Sequence, residues 1–271
     1  MKIYIGDIDI ESILFSGACF RTIKENDGSI TDILNDRVIN IKRDGEYIYV
    51  TSSNNDNLEE IIKDYFDLNR DYNKIDKEII KKDSNLKNMI DKCKNYRILN
   101  QDPFEMGISY IISQNNNVKR ISKSINELCK NYGKKVVFNN NDYYLFPKYE
   151  SIKNISIEEL RNYGVGFRDK YIKDYLDNYE YLNNINELST EEALVKLMNI
   201  KGIGLKVASC ILLFGYKRLD VFPIDTWVKH FMKENFNIKE DQKEIEKYAR
   251  DNFGKYSGLV IQYMFHYNRN L

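Results

Sequence analysis

Short alternating runs of apolar and polar residues fill the first fifty positions of the chain. The isoleucines of the first two runs are Ile3, Ile5, Ile8 and Ile10. Two later strand-like segments, 38–41 and 47–50, flank Asp44-Gly45, and Asp27-Gly28 precedes them. Asp-Gly between apolar runs is a strong signal for a tight β-hairpin. The pattern therefore predicts an antiparallel β-sheet at the start of the chain.

Helical signals dominate after a polar loop at 52–57. The segment 102–105, Asp-Pro-Phe-Glu, supplies an N-cap, a proline at the first helical position and a glutamate three residues after the cap. Further predicted N-caps are Ser156, Thr190 and Asp225. One exception is 136–146, where two apolar runs around an Asn-rich segment predict a short hairpin.

The composition is that of a globular protein with a sizeable core. Of the 271 residues, 42% are hydrophobic and 13% are aromatic, which suits one large domain or two modest ones. The two patterns together predict an α+β fold, with an N-terminal antiparallel sheet domain over residues 1–80 and a mostly α-helical domain over residues 81–271. The pattern changes between Asp67 and Asp83.

Charge is balanced over the whole chain but uneven along it. Basic and acidic residues both number 41, and this balance alone argues against a nucleic-acid-binding protein. Between Val195 and Lys233, however, seven basic residues accompany two acidic ones, a local net charge of +5. Such a basic face can bind phosphate on a neutral protein, and a solvated lysine-rich face is the competing interpretation.

Cysteine spacing and hydropathy bear on cofactors and compartment. The four cysteines are far apart and form no Cys-x-x-Cys pair, so we expect neither zinc nor an iron–sulfur cluster. The first residues lack the apolar segment of a signal peptide, and no uncharged apolar run approaches the ~18–20 residues of a membrane span. We therefore expect an intracellular protein with reduced thiols and no membrane segment.

The most informative segment is 200–206, with the sequence Ile-Lys-Gly-Ile-Gly-Leu-Lys. Gly202 and Gly204 stand where a helix begins, so backbone N–H groups there can bind an anion such as a nucleic-acid phosphate. Lys206 follows in the first helical turn, where the positive end of the helix dipole favours a neutral, nucleophilic amine. Asp225 supplies a carboxylate that can stabilise positive charge developing on a sugar. From these residues alone, DNA chemistry and a merely solvated lysine both remain open.

A second set of motifs, spread over nearly the whole chain, agrees in order and spacing with one enzyme family. These motifs are the segments 16–21, 65–68, 101–104, 112–120, 164–168, 221–225 and 256–258, together with Phe265. With the glycine hairpin, they make the chain resemble the 8-oxoguanine DNA glycosylase/AP lyase family, within the helix-hairpin-helix superfamily that has a Gly/Pro-Asp signature. The resemblance implies that residues 81–271 form the catalytic helix-hairpin-helix glycosylase domain.

The resemblance also implies a reaction and the residues that perform it. A bifunctional enzyme of this family flips a damaged base out of duplex DNA, excises it and cleaves the strand by β-elimination, as a step of base excision repair. Lys206 matches the nucleophile that forms a Schiff base, and Asp225 matches its carboxylate partner. Cys210 and Phe265 match the residues that pack on either side of the flipped base. Gly17 matches the glycine whose carbonyl accepts the N7–H that 8-oxoguanine has and guanine lacks.

Other matched positions concern the partner strand and the DNA backbone. Asn115 matches the residue that fills the gap in the helix, and Arg120 and Arg168 match two arginines that read the orphaned cytosine. Phe167 stands where an intercalating tyrosine is often found. The hairpin glycines that match phosphate-binding positions are Gly202 and Gly204. The implied partner is double-stranded DNA that carries 8-oxoguanine opposite cytosine.

Three positions depart from the family pattern. Lys201 replaces the usual proline of the hairpin, a change that we expect to leave the turn intact and to add a phosphate contact. Trp227 stands where some members have a histidine near the sugar-phosphate. Ile261 occupies the position of a glutamine that reads the Watson–Crick edge of the base, and Gln262 is adjacent. Either the helix presents Gln262 differently, or base recognition is weaker in this chain.

Other functions compete with this interpretation. Glycosylases that act on alkylated purines share the aspartate but generally lack the lysine, so Lys206 argues against them. The endonuclease III-like branch is disfavoured by the cysteine spacing, and a non-catalytic DNA-binding hairpin by the pairing of Lys206 with Asp225. We expect a monomer without cofactors, although the resemblance allows a monovalent cation on the hairpin carbonyls.

Overall fold

A computed structural model describes residues 1–269 of the chain. The N-terminal part is a five-stranded antiparallel sheet with the strand order β1-β5-β4-β3-β2. Its elements are β1 (Lys2–Tyr4), α1 (Ile10–Leu14), β2 (Ile23–Lys24), β3 (Ile30–Ile33), β4 (Val38–Asp44) and β5 (Tyr47–Ser52). Gly28 and Gly45 turn the chain between β2 and β3 and between β4 and β5, with φ of 79° and 59°. Both Asp-Gly hairpins are therefore confirmed.

The strand expected at Ile8 and Ile10 is wrong. Ile10 begins α1, because Asp9 caps that helix by accepting a hydrogen bond from the backbone N–H of Ser12 at 3.1 Å. Both isoleucines are buried. Two apolar residues spaced by two are too short a pattern to distinguish a strand from the entry into a helical turn.

Helices form the rest of the described chain, apart from one hairpin. They are α2 (Leu58–Tyr65), α3 (Tyr72–Lys82), α4 (Lys87–Cys93), α5 (Pro103–Ser113), α6 (Val118–Tyr132), α7 (Tyr149–Ile152), α8 (Ile157–Asn162), α9 (Asp169–Asp177), α10 (Thr190–Met198), α11 (Leu205–Gly215), α12 (Thr226–Phe236), α13 (Gln242–Asn252) and α14 (Ser257–Arg269). The hairpin consists of β6 (Lys135–Phe138) and β7 (Asn141–Tyr144), as predicted for 136–146. Within residues 1–269, no helix is long and apolar enough to cross a membrane.

Most of the predicted helix caps are confirmed. Asp102 caps α5 by accepting from the backbone N–H of Glu105 at 2.9 Å, and Ser156 forms a full capping box at α8. At α10 the cap is Ser189, and Thr190 is the first helical residue. The prediction of Thr190 was off by one residue because Ser189 has a glutamate three residues later and completes a capping box with it.

One hydrophobic core joins the sheet to the helices. Fully buried residues of the sheet, such as Ile48, belong to the same cluster as Ile211 of α11 and Ile261 of α14. The predicted boundary between two domains at residue 80 therefore stays a prediction. At the centre of the core α11 packs on α5, where the rings of Phe214 and Tyr110 stack with centroids 5.6 Å apart. This packing fixes α11, whose first turn carries Lys206.

Candidate active site

The glycine hairpin joins α10 to α11, and its two glycines differ in what surrounds them. Gly202 has φ of +86°, and a Cβ there would lie 2.5 Å from two ring carbons of Tyr171. Gly204 is the exposed N-cap of α11 with φ of −89°, and a Cβ there would meet nothing within 4 Å. Lys201 is exposed, and its backbone N–H donates to Asp174 Oδ2 at 2.7 Å. The hairpin thus presents the open N-terminus of α11 to solvent.

Lys206 and Asp225 are brought together around Cys210. Lys206 lies in the first turn of α11, with Nζ 5.6 Å from the centre of the Tyr110 ring, and Cys210 follows one helical turn later on the same face. Asp225 caps α12, as predicted, by accepting from the backbone N–H of Val228 at 2.9 Å. Burial raises the pKa of the Cys210 thiol; the Lys206 charge opposes the shift and the Asp225 charge adds to it. The thiol is therefore held in its neutral form.

These residues line one cavity of about 640 Å³. Residues from four parts of the chain meet there: Gly17, Lys206, Cys210, Asp225, Gln262 and Phe265. Trp227 stacks on the ring of Phe265 with centroids 4.2 Å apart and an interplanar angle of 23°. The ring of Phe265 is thus supported by a second aromatic ring.

Gly17 lies in the loop after α1, on the wall of the cavity. Its φ of +90° is a backbone conformation that other residues adopt only with strain. The adjoining peptide is anchored, because the side chain of Gln101 donates to the carbonyl of Ala18 at 3.0 Å. A fixed backbone in an unusual conformation therefore borders the cavity.

Ile261 and Gln262, adjacent on α14, face different surroundings. Ile261 has no exposed surface and belongs to the core, whereas Gln262 lines the cavity. Gln262 and Phe265 are three residues apart on α14 and so share one helical face. The hydroxyl of Tyr96 donates to Gln262 Oε1 at 3.4 Å and orients the amide. Burial raises the pKa of Tyr96, which keeps that hydroxyl protonated.

The four residues expected at the gap and the orphaned base do not line this cavity. Asn115 lies in the turn between α5 and α6, Arg120 in the first turn of α6, and Phe167 and Arg168 in the segment between α8 and α9. Arg168 joins the two segments, because its guanidinium donates to the backbone carbonyls of Gln114 and Asn115 and to that of Val165. Asn115 is exposed with φ of +47°. Phe167 is 56% exposed and lies beside the Arg168 guanidinium, 4.4 Å from the ring centre.

The two arginines of this group differ in exposure, and Arg120 is the exposed one. Arg168 is buried, and burial lowers its pKa, with a further contribution from the nearby charge of Arg120. The two guanidinium groups are therefore close enough to interact. Val118, half-exposed at the start of α6, lines the cavity and connects the two groups of residues.

Several residues of the cavity gave no sequence signal. Tyr96 and Tyr110 are two of 21 tyrosines, and neither lies in a pattern that marks it. Arg269 and His266 lie on α14 beyond Phe265 and also line the cavity. Arg269 is four residues after Phe265 and so shares its helical face, a spacing that could have indicated it once α14 was known to be a helix.

The described residues do not form a metal centre of the usual side chains. Among residues 1–269, no cluster of three or more His, Cys, Asp or Glu side chains could hold a metal ion. The four cysteines are unpaired, and three of them are buried.

The chain matches two protein-family models that together cover most of it. Residues 1–106 match the N-terminal domain of 8-oxoguanine DNA glycosylase, and residues 108–255 match the HhH-GPD superfamily of base excision DNA repair proteins. The chain belongs to the 8-oxoguanine DNA glycosylase family. It is accordingly a DNA N-glycosylase and DNA lyase of base excision repair, with DNA as its substrate.

Individual relatives cover nearly the whole chain. The 8-oxoguanine glycosylase/lyase of Clostridium acetobutylicum in its apo form is 34% identical, with a TM-score of 0.91 over 97% of this chain and 93% of that one. The same enzyme in complex with double-stranded DNA containing cytosine opposite 8-oxoguanine is 33% identical, with a TM-score of 0.90 over 98% and 93%. A probable N-glycosylase/DNA lyase of Methanothermobacter thermautotrophicus is 28% identical over an alignment of 308 positions, which covers 99% of this chain and 96% of that protein.

Proposed function

We propose that this glycosylase excises 8-oxoguanine opposite cytosine and then cleaves the abasic strand, with Lys206 as the nucleophile. The observation that carries the proposal is the meeting of Lys206, Cys210, Asp225, Phe265 and Gly17 around one cavity. A lysine amine, a carboxylate, an aromatic face and a close backbone are the groups that this reaction requires. The C. acetobutylicum relative, solved with DNA containing that base pair, supports the choice of substrate.

The reaction begins when the neutral amine of Lys206 attacks C1′ of the flipped nucleotide. The bond from C1′ to the base nitrogen breaks, the base leaves with the bonding electrons, and it takes up a proton. Ring opening then gives an iminium between Nζ and C1′. Loss of a C2′ proton eliminates the 3′ phosphate, and water finally releases Lys206. Asp225 stabilises the positive charge that develops on the sugar.

Recognition of the base follows from the walls of the cavity. Phe265, supported by Trp227, offers a flat face, and the neutral thiol of Cys210 lies across the cavity from it in the proposed complex. The carbonyl of Gly17 accepts the N7–H of the oxidised base, and the glycine allows the close approach. Gln262, oriented by Tyr96, is the polar group that we assign to the edge of the base.

We assign contacts with the opposite DNA strand to the residues beside the cavity. We assign Asn115 and Phe167 to the gap and the neighbouring base step, because both are exposed. Arg168 uses most of its donors on carbonyls, so Arg120 should supply the larger share of cytosine recognition. Gly204 and the α11 N-terminus bind a phosphate.

Borohydride trapping tests the proposal. With a duplex that carries 8-oxoguanine opposite cytosine, the wild-type protein should form a covalent adduct and release the base. Lys206→Gln should bind the same duplex and form no adduct. A protein that releases 3-methyladenine and leaves 8-oxoguanine intact would support the alkylated-purine alternative instead. Wild-type activity in Lys206→Gln would show that Lys206 is not the nucleophile.

The remaining parts of the proposal concern assembly and cofactors. We propose that the enzyme acts on chromosomal DNA inside the cell as a monomer, without zinc or an iron–sulfur cluster, and with at most a monovalent cation on the hairpin carbonyls. Full activity in a chelator and a monomeric mass at assay concentration are the expected results. Replacing potassium by a large organic cation tests the hairpin site, since only a bound ion would make activity respond.

A further inference from the structure

Arg269 lies at the mouth of the cavity, beside Gly17. Its Nη1 donates to the backbone carbonyl of Phe15 at 3.3 Å, and its Nη2 lies 3.2 Å from the point where a Cβ on Gly17 would be. It lines the same cavity as Lys206 and Phe265. The loop after α1 and the last turn of α14 therefore meet at the position assigned to the imidazole edge of the base.

The charge of Arg269 reaches into the cavity. Burial raises the pKa of Tyr96 and lowers that of His266, and the Arg269 guanidinium lowers both. Both residues line the cavity. A guanidinium has five N–H donors. Among the described residues, the hydrogen bond to Phe15 occupies one donor of Arg269, so other donors can bind a ligand.

We propose that Arg269 is a specificity residue that donates a hydrogen bond to O8 of 8-oxoguanine. The inference rests on the proposed function, in which the carbonyl of Gly17 accepts the N7–H of the same base. O8 is attached to the carbon next to N7, so the lesion presents an acceptor directly beside a donor. A carbonyl with an adjacent guanidinium is complementary to that pair.

Both contacts act in the same direction on specificity. Guanine has a hydrogen instead of an oxygen at C8, so a donor aimed at O8 has no acceptor there, and the N7 lone pair of guanine is placed against the carbonyl of Gly17. A polar site left unpaired by the wrong substrate discriminates more strongly than a difference in shape. Arg269 therefore recognises O8, in addition to the N7–H that the carbonyl of Gly17 recognises.

A phosphate contact is the competing role for an arginine at this position, and two substrates separate the roles. One duplex carries 8-oxoguanine opposite cytosine, and the other carries a preformed abasic site opposite cytosine. A contact to O8 matters only for the first, whereas a contact to the backbone matters for both. The variants are Arg269→Met, which keeps the length of the side chain without its donors, and Arg269→Lys, which keeps a charged donor.

The matched control is Arg250→Met, which removes the same charge from an exposed side chain on α13 that pairs with Asp251. Single-turnover excision of 8-oxoguanine should slow about 10- to 100-fold in Arg269→Met, the size expected for losing a charged hydrogen bond. Cleavage at the abasic site should keep the wild-type rate in the same sample, which also shows that the variant is folded. Arg269→Lys should fall between the two, and the control should match wild type.

Two results would overturn the inference. An unchanged excision rate in Arg269→Met shows that O8 is not read by this residue. An equal loss on both duplexes assigns Arg269 to the DNA backbone. Failure of the proposed function is seen separately, because the wild-type protein itself would then release no 8-oxoguanine and trap no adduct.

Discussion

The two hairpin glycines should respond in opposite ways to the same substitution. In Gly202→Ala the new Cβ must adopt φ near +86° and overlap the Tyr171 ring, whose Cδ atoms would lie 2.5 Å away. The left-handed conformation costs about 1–2 kcal/mol, and the overlap about 1–3 kcal/mol. We expect the free energy of unfolding to fall by about 2–5 kcal/mol in total, which lowers Tm by about 2–4 °C per kcal/mol in a protein of this size.

Gly204→Ala should leave the fold nearly intact and weaken DNA binding. Its φ of −89° suits alanine, and the added methyl group meets nothing within 4 Å, so the cost is that of a poorer N-cap, about 0.5–1 kcal/mol. The methyl group lies where a phosphate must approach the α11 N-terminus. We expect about tenfold weaker binding, comparable to losing one hydrogen bond to a charged group.

Urea unfolding measures the first effect, and fluorescence anisotropy with an abasic-analogue duplex measures the second. The two variants control for each other, because both replace a hairpin glycine by alanine. Equal stability of Gly202→Ala and wild type would refute the strain and overlap. Wild-type affinity in Gly204→Ala would remove the hairpin N-terminus from the phosphate contact.

Four further variants test the partner strand, the core and the base edge. Arg120→Gln should reduce the preference for cytosine, measured as the ratio of excision rates with each opposite base. Arg168→Gln should instead lower Tm and slow excision from all four base pairs equally. A loss of activity confined to the pair with cytosine in Arg168→Gln would contradict its role in joining the two segments. Burial raises the pKa of Glu105 to about 7 against the opposing charge of Arg21, so the native state holds a proton that the unfolded chain releases above about pH 4.5. The free energy of unfolding should therefore fall by up to about 3 kcal/mol between pH 4.5 and 7, and Glu105→Gln should flatten that dependence in urea titrations. Gln262→Leu should raise the Kd for the 8-oxoguanine duplex and leave that for undamaged DNA unchanged.

Much of the local structure could be predicted because it depends on neighbours in sequence. The Asp-Gly hairpins, the cap at Asp102 and the extent of α11 all follow from residues within a few positions of one another. The failures at Ile10 and Thr190 have the same origin. In each, a short pattern fitted two local structures, and a cap one residue earlier decided between them.

The same distinction between local sequence and long-range packing applies to the residues of the active site. The sequence by itself determined the family motifs, the helix that carries Lys206 and the cap formed by Asp225, since each is a matter of residue type and spacing. Only the tertiary structure decided that Gln262 faces the cavity while Ile261 lies in the core, because the rotation of α14 is set by packing. It also decided that Arg269 meets Gly17. Contacts between distant segments depend on how whole elements pack, and no local pattern records that packing.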